Sequence, residues 1–96
     1  MKGSPFRKRY IVIYSSSMED LIKQLDRDLF SMFRAKRKFL EGPYAIFLTD
    51  QFRKNRLIEF INSKNWDVST LLTSGTILKC KKFIAIHSQQ TIQQNH

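Results

Sequence analysis

Residues 10–33 read YIVIYSSSMEDLIKQLDRDLFSMF, and this stretch predicts a strand followed directly by a helix. Its first five residues are β-branched or aromatic, which is typical of a buried strand. Apolar residues then recur at intervals of three and four from Met18 to Phe33, the spacing of an amphipathic helix. Ser16 and Glu19 have the capping-box spacing, so we expect them to begin that helix.

Two strands are predicted next, on either side of a turn. The Lys and Arg content of residues 35–41 indicates an exposed or edge strand. Gly42 and Pro43 form a turn signal. Residues 44–49 read YAIFLT, which favours a second strand.

A second helix and a fourth strand complete the pattern. Asp50 is a suitable N-cap for a helix that ends in the turn residues 62–65. Apolar and polar residues alternate over 66–73, which predicts a half-buried strand. The resulting β-α-β-β-α-β order is typical of an α+β, ferredoxin-like (RRM-like) sandwich with an antiparallel sheet and two helices on one face. These elements leave the other sheet face uncovered and free to meet a partner.

The segment after the Ser-Gly-Thr sequence at 74–76 fits two structures. Apolar residues over 77–87 satisfy the periodicity of a helix and also the alternation of a strand. We favour an additional basic helix that begins at 74–76. Residues 89–96 are polar and rich in Gln, so we predict a disordered tail there and a flexible segment over 1–6. A single domain over 7–88 remains.

Composition restricts the class of protein. The 96 residues suffice for one domain, and three glycines and two prolines exclude collagen-like and low-complexity chains. No apolar run reaches the ~18 residues of a membrane span. Arg7, Lys8 and Arg9 interrupt the hydrophobic segment that a secretory signal would need. Cys80 is the single cysteine, which excludes a disulfide framework and favours a packed hydrophobe. We therefore expect an intracellular protein.

Cations outnumber acids and are unevenly spread. The chain has 17 Lys and Arg against 8 Asp and Glu, a net charge of +9. Such a surface concentrates polyanions, and each cation that neutralises a phosphate releases a counterion. Nucleic acid is therefore the expected partner, although charges that merely solvate the surface are the alternative. The cations form four clusters: Lys2, Arg7, Lys8 and Arg9; Arg34, Lys36, Arg37 and Lys38; Arg53, Lys54 and Arg56; and Lys79, Lys81 and Lys82.

No catalytic constellation is apparent in the sequence. An RNA-recognition motif would carry K/R-G-F/Y-G/A-F-V-x-F/Y on its third strand, whereas residues 41–47 read EGPYAIF. Tyr44 and Phe47 are thus expected in the core or against a partner. A small ferredoxin-like nuclease of the Cas-two type needs an aspartate at the end of the first strand, where three serines stand. His87 and His96 occur late in the chain.

The sequence TSGTILKCKKFI at 73–84 is the most informative stretch. Its glycine permits a tight strand-to-helix turn. The amides of Thr76 and Ile77 would then be free at the helix N-terminus to face a phosphate, with Lys79 and Lys82 beside it. The alternative is that Ser74 or Thr76 only caps the helix and that the lysines face water.

Two motifs resemble the ribonuclease P protein component 2 family, the Pop five subunit of ribonuclease P and RNase MRP. The sequence SGTILKCKKFI at 74–84 is similar to the family's turn and basic helix, and RKRYI at 7–11 is similar to its first strand. The likeness extends over about residues 7–86, and the predicted strand and helix over 42–61 are similar in pattern to the middle of that family.

The resemblance implies a noncatalytic protein subunit of a ribozyme. In that family the RNA removes the 5′ leader from precursor tRNA with Mg²⁺ held by the RNA, so no cofactor is expected on the protein. The implied partners are ribonuclease P RNA, precursor tRNA, a TIM-barrel-like component 3 subunit of the Rpp thirty type, and a second copy in a pair of heterodimers. The implied location is the cytoplasm of an archaeon or the nucleus and nucleolus of a eukaryote.

Charge and resemblance together select the candidate site residues. No residue is assigned to catalysis or to a metal. A small metal-dependent nuclease and a generic basic interaction domain remain alternative hypotheses. The predicted RNA-binding residues are Arg7, Lys8, Arg9, Ser74, Gly75, Thr76, Lys79, Lys81 and Lys82, and the predicted partner-binding residues are Phe47, Phe52 and Leu57.

Overall fold

A computed structural model describes residues 7–94 of the protein, and the side chains of residues 7–89. Residues 7–94 form an α+β fold with one four-stranded antiparallel sheet and three helices, and the β-α-β-β-α-β order is compatible with a ferredoxin-like fold. This order was predicted from the sequence and is confirmed. The elements are β1 (Lys8–Tyr14), α1 (Met18–Phe33), β2 (Lys36–Glu41), β3 (Tyr44–Asp50), α2 (Lys54–Ser63), β4 (Ser69–Ser74) and α3 (Ile77–Gln94).

The strands lie in the order β2-β3-β1-β4, and every neighbouring pair is antiparallel. β2 is an edge strand with mostly exposed residues, as its cations predicted. The Gly42-Pro43 turn joins it to β3, and Gly42 takes the left-handed backbone conformation that a tight turn requires, with φ 58°.

β1 is buried on both faces of the sheet. Ile11, Val12 and Ile13 each have 0% exposure. Successive side chains of a strand point to opposite faces, so Ile11 and Ile13 enter one core and Val12 enters another. A strand that is apolar at both parities needs a layer on each side.

α1 and α2 cover the first face. Leu25 and Leu29 of α1 and Leu57 and Ile61 of α2 are fully buried around Phe47 of β3. Their spacing of four residues aligns them on one side of each helix. Among the described residues, no helix is both long enough and apolar enough to cross a membrane.

α3 covers the second face of the sheet. Cys80 and Ile84 are buried against Val12, Tyr44 and Ile46. The helix favoured for this segment is therefore confirmed, whereas the expectation of an uncovered sheet face is wrong. The reason is that these strands present apolar side chains on this face, and their removal from water is favourable.

The middle of α3 is held by His87, which the sequence presented only as an isolated histidine. Its Nδ1 lies 2.7 Å from the Tyr44 hydroxyl, within a hydrogen bond. Its ring also stacks on Phe83, with centroids 5.5 Å apart. The helix continues to Gln94 and so does not end at the predicted domain boundary of residue 88. The segment 1–6 and residues 95 and 96 lie outside the described residues.

The start of α1 differs from the predicted capping box. Ser17 is the N-cap residue, and its side chain makes no capping hydrogen bond. The Ser16 hydroxyl instead donates to the carboxylate of Asp67, and the Ser17 amide donates to Ser15 Oγ at 3.1 Å. Ser16 is therefore engaged in a long-range contact that its spacing from Glu19 does not reveal.

α1 ends at a left-handed residue, Arg34, with φ 55° and ψ 25°. Its amide donates to Phe30 O at 2.9 Å, and the Ala35 amide donates to Leu29 O at 3.1 Å. The buried hydroxyl of Thr49 in β3 donates to Phe33 O at 3.1 Å. The turn after α1 is thus held against the end of the sheet.

Trp66 explains why the last strand starts later than predicted. Its indole N–H donates to Ile61 O at 2.8 Å, and its ring meets Phe60 edge-on with centroids 6.0 Å apart. Lys64 Nζ lies 4.4 Å from the ring centroid, a cation–π contact. Because Trp66 packs on the end of α2, β4 begins at Ser69 and not at residue 66.

We expect glycine at position 34 to stabilise the protein. A left-handed conformation costs an L-residue about 1–2 kcal/mol, and the greater freedom of glycine in the unfolded chain offsets part of this gain. R34G should therefore raise the free energy of unfolding by about 0.5–1 kcal/mol in urea titrations. The matched variant is G42A, which should lower it by about 1 kcal/mol because a Cβ there meets no atom within 4 Å and only the backbone is strained. A less stable R34G would contradict this reasoning.

The Cys80 thiol should report the docking of α3. Burial raises the pKa of this thiol above its ordinary value of 9.0. The folded protein holds the proton more tightly than the unfolded chain, so this contribution is fully present below pH 9.0 and is lost as the pH rises through the higher folded pKa. We expect a disulfide reagent to label native protein far more slowly than protein unfolded in guanidinium at pH 8. Equal rates would show that α3 does not shield the thiol.

Candidate nucleic-acid interface

Antiparallel pairing gathers four strand termini at one end of the sheet. β1 and β2 begin at this end, and β3 and β4 finish there; we call it the basic end. The register pairs Lys8 with Asp50, Lys36 with Leu48, and Tyr10 with Ser74.

Positive charge concentrates at the basic end because the helices also contribute there. α1 ends beside it, while α2 and α3 begin beside it and direct the positive ends of their dipoles toward it. Nearby acids are already engaged, since Asp50 pairs with Arg53 and Asp26 pairs with Arg37 at 3.3 Å. The cations at this end are Arg7, Lys8, Arg9, Arg34, Lys36, Arg53, Lys54 and Lys79.

Acidic residues mark the opposite end of the domain. Glu19 and Asp20 occupy the first turn of α1, and Glu41 ends β2. Asp67 lies beside Ser16 at the start of α1. Charge is therefore separated along the strand direction, and a polyanion is attracted to one end of the molecule.

The structure brings the two predicted RNA-binding motifs together. Tyr10 of β1 lies opposite Ser74 of β4. Arg9 precedes Tyr10, and its guanidinium lies near the turn after β4. Gly75 in this turn has no side chain, and a Cβ atom added there would lie 3.5 Å from Arg9 Nη1. Arg9 also donates to Lys8 O at 2.9 Å. Motifs from the two ends of the domain thus form one continuous surface.

The turn between β4 and α3 is capped by its own side chains. Ser74 Oγ accepts the Thr76 amide at 3.2 Å, and Thr76 Oγ1 accepts the Lys79 amide at 3.4 Å. The expectation that the Thr76 amide is free is therefore wrong, and the capping alternative holds for both hydroxyl groups. Gly75 does not adopt a left-handed φ, so this turn does not require glycine for its backbone.

The three predicted lysines of α3 are exposed and diverge. Lys79 lies in the first turn, at the basic end. Lys81 Nζ lies 5.1 Å from the ring centroid of Phe39, on the flank of the helix that faces β2. Lys82 shares the outer surface of the helix with Leu78 and Ile86, which are 59% and 56% exposed. Only Lys79 therefore adjoins Arg9 and its turn.

Two of the three predicted partner-binding residues are in the core. Phe47 and Leu57 have 0% exposure, so they offer no surface to a partner, and this part of the prediction is wrong. They are buried because β3 and α2 direct them between the sheet and α1. Phe52 lies in the turn before α2 and is 60% exposed.

Sequence reasoning did not include Arg34 and Lys36 among the site residues. Both belong to the second cationic cluster, which was recognised. Their place at the basic end depends on the turn after α1 and on the pairing of Lys36 with Leu48. A single sequence does not specify that pairing.

The described residues contain no group of three or more His, Cys, Asp or Glu side chains that could hold a metal ion. Cys80 is buried, and its Sγ lies 3.7 Å from Tyr10 O. His87 contacts Tyr44 and Phe83 beneath α3. Cys80 and His87 are therefore both engaged in packing between α3 and the sheet.

Comparisons of this chain with protein-family models, with curated proteins and with solved structures find no match. The resemblance to ribonuclease P protein component 2 thus rests on the residues of its two motifs, 7–11 and 74–84.

A carboxylate at position 75 tests whether the Arg9 surface binds an anion. G75D places the new side chain against the Arg9 guanidinium, and the 3.5 Å spacing is ordinary van der Waals contact, so the fold should accept it. We expect G75D to weaken binding of a fluorescent RNA hairpin about five- to tenfold at low salt, as expected for the loss of a charge contact. G75N has the same shape without the charge and should change affinity less than about twofold. Equal losses would attribute the effect to shape.

Proposed function

We propose that this protein binds RNA through the basic end of its sheet. The observation that carries the proposal is the proximity of the Arg9 guanidinium to the turn at Gly75, where a Cβ atom would lie 3.5 Å from Arg9 Nη1, so that two cationic motifs adjoin. Lys8 precedes Arg9 at the start of β1, and Lys79 lies in the first turn of α3, and both are exposed. A protein that neutralises several phosphates gains affinity from released counterions without reading bases.

The more specific proposal is a noncatalytic subunit of ribonuclease P, which binds and stabilises the RNA that removes the 5′ leader from precursor tRNA. It is supported by the resemblance of RKRYI at 7–11 and SGTILKCKKFI at 74–84 to component 2 of that enzyme. α3 serves as the basic helix of this proposal, with Lys79, Lys81 and Lys82 exposed. Mg²⁺ belongs to the RNA in this assignment.

The proposed protein partner is a TIM-barrel-like component 3 subunit of the Rpp thirty type, and self-association as a pair of heterodimers is proposed with it. Of the residues first assigned to this contact, Phe52 retains an accessible side chain. Its ring follows Asp50, whose Oδ1 accepts the Phe52 amide at 2.9 Å. The proposed protein contact therefore centres on Phe52, in the turn before α2.

Salt dependence tests phosphate binding directly. K79A/K82A removes two exposed cations from α3 and should reduce the slope of log K against log salt concentration by about 0.7 for each of these lysines that contacts a phosphate. The control K23A/R27A removes the same charge from the exposed face of α1 and should leave the slope nearly unchanged. Binding would be measured by fluorescence polarisation with ribonuclease P RNA and with precursor tRNA.

Three results would contradict the proposal. Equal slopes for K79A/K82A and K23A/R27A would show that α3 lysines do not contact phosphates. Failure of the wild-type protein to retain any RNA at moderate salt would favour a generic interaction domain. Cleavage of RNA by the purified protein with Mg²⁺ or Mn²⁺, lost on replacement of an acid, would favour a nuclease.

A further inference from the structure

A cleft of about 280 Å³ opens at the basic end, on the side away from Gly75. It lies where the start of β1, the turn after α1 and the start of β2 meet around the end of β3. Four cations line it: Arg7, Lys8, Arg34 and Lys36. Leu48 and Thr49 complete the wall.

These four cations lack acidic partners within the part of the chain that the structure describes. The ion pairs there join Arg27 with Asp28, Arg37 with Asp26, and Arg53 with Asp50. Asp50 also lines the cleft, but its Oδ1 accepts the amides of Phe52 and Arg53, and its Oδ2 pairs with the Arg53 guanidinium. The fold therefore brings four like charges together, and an anion among them would relieve their repulsion.

The backbone of Arg34 is a second, independent observation. Arg34 is the one non-glycine residue with positive φ in the described chain, and glycine or asparagine is far easier to accommodate in that conformation. Strained residues persist where the surroundings hold them in place, and they concentrate at binding sites. Here the surroundings include Thr49, whose hydroxyl is 3.1 Å from Phe33 O. The turn thus carries a long cationic side chain into the cleft at a conformational cost.

We propose that this cleft binds a phosphate group of an RNA backbone, with Arg34 as its principal ligand. The planar guanidinium can donate two parallel hydrogen bonds to phosphate oxygens, while the lysines act as point charges. This inference rests on the proposed RNA-binding function and extends it by a site that includes Arg34 and Lys36. RNA bound at both Arg9 and this cleft would cross the ends of the central strands β1 and β3.

The test uses four proteins: wild type, R34G, R34K and the control K23A, which removes one exposed charge from the second turn of α1. Affinity for a fluorescent RNA hairpin would be measured by polarisation at two salt concentrations. We expect R34G to lose about five- to tenfold in affinity and K23A less than twofold. R34K should lose about two- to threefold, because lysine keeps the charge but cannot donate the two parallel hydrogen bonds of a guanidinium.

Stability separates a lost contact from a damaged fold. Since glycine relieves the left-handed strain, R34G should melt at or above the wild-type temperature while binding RNA more weakly. Weaker binding with a lower melting temperature would instead assign Arg34 to the α1 terminus, where a cation can offset the helix dipole, and would overturn the site.

A second arm separates RNA from free phosphate. Pyrophosphate titrated into isotopically labelled protein should shift the amides of Arg34, Lys36 and Thr49 in wild type, and much less in R34G. If pyrophosphate shifts them but R34G and K23A bind RNA equally, the cleft takes a free phosphate compound and the RNA assignment is wrong. If wild type binds no RNA, the proposed function itself fails, and the assignment fails with it.

Discussion

β1 must be covered on both faces, and the rest of the structure depends on this requirement. Ile11, Val12 and Ile13 are completely buried in the central strand, with β3 on one side and β4 on the other. One helical pair alone would leave Val12 and its neighbours on the second face in water. α3 supplies the missing layer, so the domain is a helix–sheet–helix sandwich in a chain of only 96 residues.

The same strand order explains the distribution of charge. Arg7, Lys8 and Arg9 lie at the start of β1, outside the two cores. Because β3 and β4 run opposite to β1, the loops after these strands meet those cations, and the cationic turn after α1 joins them through β2. Cationic clusters that are far apart in sequence therefore converge at one end of the sheet.

Local patterns predicted the elements well because each depends on neighbouring residues. The three- and four-residue spacing from Met18 to Phe33 is fulfilled by α1, and the turn at Gly42 has the expected backbone. Contacts across the chain were not predictable in this way. Ser16 binds Asp67 instead of capping α1.

For the candidate site too, local features were predictable and contacts between distant segments were not. The cationic motifs were visible in the sequence, whereas their convergence required the register of β1 with β4. Periodicity identified Leu57 as an apolar residue of α2 but could not distinguish a core contact from a partner contact. The sequence YIVIY at 10–14 did indicate that both faces of this strand are covered, because its residues are apolar or aromatic at odd and even positions alike. A strand with one face open to water would carry polar residues on that face.

The position of Trp66 gives the molecule a built-in optical probe. It is the single tryptophan, and it packs on the end of α2, at the opposite end of the sheet from the basic end. Its emission reports the integrity of the α1–α2 layer, while a ligand held at the far end leaves its surroundings untouched. Unfolding can thus be followed by tryptophan emission, and binding of a fluorescent RNA by its polarisation, in one sample. Neither measurement requires a fluorophore attached to the protein.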